Sequence, residues 1–202
     1  MLVKTIDDFN NLIKSTEEPS FQASFYKESL SKPFIVLLPR MLSKMLSNLK
    51  SMDSLLAIDE VEDAYTIFRK MLETFFLVES VLVNPQIART YIIHEDKLSK
   101  KVMNNYRTDE VKAFIEGKPD GYLEYGFVEQ LVDTSEEGFK YTIKTVANAA
   151  GVGDLYKWYR VTSNFVHNNL TQFKINKPDL SAKLITMCDT VTTKLLETIN
   201  NY

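Results

Sequence analysis

Arg160 and His167 are the residues of this sequence whose types and spacing best suit joint chemistry. They fall within residues 154–170, DLYKWYRVTSNFVHNNL, a pattern that predicts an amphipathic helix with Asp154 as its N-cap. Leu155, Trp158, Thr162, Phe165 and Val166 recur at helical spacing as one stripe. Tyr156, Arg160, Ser163, Asn164 and His167 fall on the other side. At about 100° per residue, the seven positions between Arg160 and His167 bring them to within roughly 20° of each other, two turns apart. They share a face turned away from the core. A histidine accepts or donates protons near neutral pH. An arginine holds phosphate oxygens in its planar fork and stabilises the charge that builds on them. Ser163 and Asn164 would add hydrogen bonds on the same face.

Other candidate residues carry less. Arg89-TYII-His94 is a second arginine–histidine pair, but five positions set its members about 140° apart, on different faces of a straight helix. Arg69 and Glu73 stand one turn apart on another predicted helix and read as a structural pair able to brace the site. Glu79, near the edge of that helix's apolar stripe, reads as a buried carboxylate with a partner elsewhere. The sequence has no Gly-rich phosphate loop, no HExxH and no nucleophile elbow. With two histidines and one cysteine, a metal site would rest on carboxylates, so neither a metal nor a cofactor is expected. The lone Cys188 excludes an intrachain disulfide and a multi-cysteine zinc site.

The 202 residues suffice for a substantial core. A formal net charge of −3 offers no global basic field for nucleic acid. Charge is nevertheless uneven: residues 138–183 hold seven Lys/Arg against two Asp, a local +5 that leaves −8 elsewhere. The N-terminal stretch lacks the pattern of a signal peptide, and no run approaches the roughly 20 apolar residues of a membrane span. A cytoplasmic protein without membrane attachment is expected.

The elements that must position this face read as helices throughout. Thr5 with Asp8 suggests a capped start to a short helix ending near Ile13, and residues 17–20 read as a break. Residues 33–56 form a Leu- and Met-rich helix that Pro39 would kink or restart, with PFIVLLP as a possible buried strand. Residues 59–83 give the cleanest stripe: Val61, Ala64, Phe68, Met71, Leu72, Phe75, Val78 and Leu82. Further helical segments follow over 86–106 and 108–115, then an irregular stretch over 117–134. Ser135 opens a helix that Gly151 and Gly153 end. Pro178 starts a final helix whose stripe is Leu180, Leu184, Met187, Val191, Leu195 and Ile199. The expectation is an all-α, single-domain helical bundle over 1–202 with mostly antiparallel neighbours. Its first 56 residues are N-terminal helices of unassigned role.

Arg160-VTSNFV-His167 resembles the signature of the HEPN superfamily, an arginine and a histidine separated by four to six residues in a small helical bundle. The order of FRKMLETFF (68–76) before YRVTSNFVH (159–167) is similar to a bacterial branch allied to abortive-infection and toxin proteins. The resemblance covers residues 57–202. It implies a metal-independent endoribonuclease working as a homodimer, its two motifs meeting in one cleft on an RNA substrate. Arg160 would grip and polarise the phosphate, and His167 would act as general acid or base. Tyr156, Ser163, Asn164, Arg69 and Glu73 would bind substrate or support the site.

A second expectation comes from a different class. Active members place a polar residue after the arginine, where this sequence has Val161. With the acidic overall charge, that suits a non-catalytic helical module binding a phage or antitoxin protein, or a nucleotide. A structural alternative for His167 is a hydrogen bond within a helix–helix interface.

Overall fold

The computed structural model describes residues 1–28, 32–83, 142–166 and 177–201. The described residues are helical, with no strand among them. In chain order the helices are α1 (Val3–Glu17), α2 (Pro19–Glu28), α3 (Lys32–Ala57), α4 (Val61–Val83), α5 (Ile143–Ala149), α6 (Tyr156–Val166) and α7 (Lys177–Asn200). A single 3₁₀ turn, Gly153–Leu155, leads into α6. The all-α bundle is therefore as expected. The segments read over 86–106, 108–115 and 117–134, including the Arg89–His94 pair, lie outside the described residues.

The helix starts are where local reading erred. Thr5 does not cap α1, which begins two residues earlier and extends to Glu17. Its hydroxyl is buried and donates to Asp189 on α7. The cap comes from another helix: Asp53 of α3 accepts the Leu2 N–H and the Met1 amine, each at 2.6 Å. The amine, then the Leu2 N–H, hold the Asp53 carboxyl below its ordinary range. The break at Glu18 is present, and Pro19 opens α2, where a missing N–H costs nothing. Pro39 lies inside α3 without restarting it, and the PFIVLLP run is helical.

α4 is the centre of the bundle. All eight residues of its expected stripe are buried, and from Phe75 to Leu82 every side chain is buried, so this half is enclosed on all sides. It packs against α3, α5, α6 and α7. The α3–α4 hairpin closes tightly. Glu60 N–H donates to Leu55 O and Asp59 N–H to Leu56 O, with Asp59 in the left-handed region at φ 62°. This is the glycine-type helix stop, here made by an aspartate, one of the few other residues that tolerate that conformation.

Directions follow from specific contacts. Tyr65 stacks on Phe165 while Arg69 meets Tyr159, so α4 and α6 are antiparallel. Tyr65 bonds to Leu180 while Glu79 meets Thr198, so α4 and α7 run parallel. All six residues of the expected α7 stripe are buried. One core cluster joins α1, α3, α4, α5, α6 and α7. Among the described residues no helix is long and apolar enough to cross a membrane.

Candidate functional site

The Arg160 helix is set in place by the turn before it. Thr142 caps α5, through a reciprocal pair in which Thr142 Oγ1 accepts the Thr145 N–H and Thr145 Oγ1 accepts the Thr142 N–H; Ser135, expected to open this helix, lies outside the described residues. α5 ends as expected at Gly151, φ 69°, with Val152 N–H on Ala147 O and Gly151 N–H on Asn148 O. Val152 is buried, which anchors the exit. Asp154 is not a helix cap. It lies exposed within the 3₁₀ turn, whose preceding residue is Val152, and α6 proper begins at Tyr156.

α6 is fixed against α4 at two levels. Near its C-terminal end, Phe165 lies almost parallel to Tyr65, with centroids 4.4 Å apart and planes 10° apart. Nearer its start, Tyr159 receives the Arg69 guanidinium. Arg69 Nη2 donates to Tyr159 Oη at 2.9 Å, and Cζ sits 4.7 Å from the ring centroid. Arg69 Nε lies 3.7 Å from Glu73 Oε1. Burial raises the Tyr159 phenol above its ordinary value, and the Arg69 hydrogen bond opposes that shift. Arg69 thus ties α4 to α6 through Tyr159, and Glu73 stands one turn along its own helix beside it.

The remaining candidates separate. Arg160 is exposed on α6, with no ion-pair partner among the described residues. Tyr156, expected on the polar face, is half-buried and stacks on Tyr159 with centroids 5.6 Å apart. The Ser163 hydroxyl donates to Tyr159 O at 3.0 Å, so its proton is engaged by its own helix. Thr162 is buried and donates to the same carbonyl at 2.9 Å. His167, and the side chains of Asn164 and Val166, lie outside the described residues. No group of three or more His, Cys, Asp or Glu able to hold a metal occurs among the described residues. Burial raises the Cys188 thiol, leaving it protonated and unreactive at neutral pH.

Residues 35–179 match the model of a family of unknown function, DUF5677, over well more than half of the chain. The chain belongs to that family. No curated protein and no solved structure matches it. The DUF5677 stretch takes in nearly all of α3, all of α4, α5 and α6, and the first residues of α7. Both sides of the Arg69–Tyr159 contact therefore belong to it, whereas α1 and most of α7 do not.

The DUF5677 helices also form a feature that sequence reading missed. A cleft of about 440 Å³ opens between α4, α6 and α7, bordered by Tyr65, Trp158, Val161, Phe165, Lys183 and Met187 among others. Trp158 and Phe165 were legible as stripe residues, but not as the wall of an opening. The available signal was Val161, an apolar residue off the stripe, which is 45% exposed.

Proposed function

We propose that this protein is a metal-independent endoribonuclease of HEPN type, working as a homodimer and serving phage defence or a toxin system. The observation that carries the reading is Arg160. Its helix is fixed to α4 through Phe165 and Tyr159, and Arg160 is exposed on it, without an ion-pair partner among the described residues, as the first residue of a motif of the HEPN spacing. An exposed cation on a helix fixed to the core suits phosphate binding, because the guanidinium is open to a ligand and its backbone is already placed. Arg160 binds the scissile phosphate and stabilises its developing charge, and His167 transfers the proton of the attacking 2′-hydroxyl or of the leaving oxygen. The local +5 around this helix draws the polyanion.

The test is cleavage of mixed RNA with chelator present, by wild type, Arg160→Ala and His167→Ala. Wild-type cleavage should fall by about a hundredfold or more in each variant. Arg160→Ala should unfold like wild type, since that side chain is exposed. Cleavage by His167→Ala at the wild-type rate would overturn the assignment.

A second reading is a non-catalytic module that binds a protein partner or a nucleotide. It is favoured by the exposed Val161 beside Arg160 and by the apolar cleft that Val161 borders. It predicts no RNA cleavage by the wild type, and partner binding that persists in Arg160→Ala and His167→Ala.

A further inference from the structure

We infer that the cleft between α4, α6 and α7 is a binding site for a small planar aromatic anion, separate from the Arg160 face and independent of the ribonuclease reading. Its volume, about 440 Å³, falls within the roughly 300–1,000 Å³ typical of small-molecule sites. The wall is preformed. Tyr65 and Phe165 make a near-parallel ring pair, and the Tyr65 hydroxyl donates to Leu180 O at 3.0 Å, tying that pair to the start of α7. The Tyr65 phenol is thereby committed inside the protein and offers no proton to a ligand. Trp158 adds an indole at the border, so aromatic surface comes from two of the three helices. Such surfaces favour flat rings through offset or edge contacts.

The charge of the ligand follows from the rest of the lining. Among the described residues that border the cleft, Lys183 carries the only charge, and no carboxylate accompanies it. It is exposed and forms no ion pair among the described residues. The other polar lining group, Thr186, donates its hydroxyl to Ala182 O at 3.0 Å. An apolar cleft with one ammonium at its edge, unpaired among the described residues, is complementary to an apolar body ending in one carboxylate. A neutral isostere would gain the ring contacts but not the ammonium. A cationic one would meet Lys183 unfavourably.

The chain contains one tryptophan, and it borders the cleft, so its indole N–H signal in a ¹H–¹⁵N spectrum reports occupancy directly. The full-length protein is titrated with 2-naphthoate and, separately, with the isosteric 2-naphthamide. Naphthoate should shift the Trp158 indole signal saturably at one equivalent and bind roughly tenfold more tightly than the amide, the scale of one charge-assisted contact. Lys183→Gln should bring naphthoate down to the affinity of the amide, with an unchanged unfolding midpoint because Lys183 is exposed. If naphthoate and naphthamide bind the wild type equally, the anion assignment is wrong. If neither moves the indole signal, the cleft is not a site for small aromatics, and the proposal fails.

Discussion

Replacing Glu79 by glutamine should change how the stability of this protein responds to pH. Glu79 lies in the enclosed half of α4 and is 1% exposed. One carboxyl oxygen accepts a hydrogen bond from Thr198 Oγ1 on α7 at 2.8 Å, and the other has no hydrogen-bond partner among the described residues. Burial pushes the carboxyl from 4.5 up to about 7, and the Thr198 bond and nearby Lys194 only partly offset this. Between these values the folded protein holds a proton that the unfolded chain has released. Stability therefore falls as pH rises through the window. The contribution is fully present below about 4.5 and lost above about 7. At roughly 1.4 kcal/mol per unit, the difference is about 3 kcal/mol. For a chain of this size that is on the order of 6–12 °C in Tm.

The assay is urea unfolding followed by helical circular dichroism at pH 4.5 and pH 8.5, on wild type and Glu79→Gln. Glutamine retains an acceptor for Thr198 but places an N–H₂ group where the unpartnered oxygen stands. That carries a penalty of about 1–3 kcal/mol at either pH, which cancels when the two conditions are compared. Other groups titrate across the same range, but they are common to both proteins. Wild type should lose about 3 kcal/mol more than Glu79→Gln between the two conditions. Parallel pH profiles would show that Glu79 ionises as freely folded as unfolded, and the burial argument would fail.

The Arg69–Tyr159 contact can be measured by a double-mutant cycle of Arg69→Met and Tyr159→Phe, for which a coupling of about 1 kcal/mol is expected, and additive losses would refute a direct interaction. If the ribonuclease reading holds, Arg69→Met should also lower RNA cleavage, because Arg160 is carried on the helix that Arg69 braces. Gly151→Ala should cost about 1 kcal/mol in urea unfolding. The loss is conformational, since Gly151 has φ 69° and an added Cβ would meet nothing within 4 Å.

The periodic elements were legible because helical periodicity is local. The stripes from Val61 to Leu82 and from Leu180 to Ile199 could be read position by position, and every residue in them is buried. Gly151 was legible for a similar reason: a glycine just past a helix satisfies a backbone demand that involves only its near neighbours. Capping signals were less secure. Thr5 and Asp154 both have the right chemistry for an N-cap, yet one hydroxyl is drawn to Asp189 and the other residue lies within a 3₁₀ turn. Short polar side chains serve caps, turns and interhelical bonds alike, and the choice depends on what packs beside them.

By itself, then, the sequence determined an all-helical chain, the apolar faces of its main helices, and an arginine on the polar face of the helix after Gly153. Tertiary structure decided which helices meet and at what register. It brought Arg69 to Tyr159 across 90 positions, Tyr65 to Leu180 across 115 and Thr198 to Glu79 across 119. It made α7 parallel to α4 and left a cleft beside Trp158 and Phe165. The physical reason is that a stripe specifies which side of a helix is buried but not its partner. Rotation and register come from side chains of distant helices filling one shared interior at close-packed density.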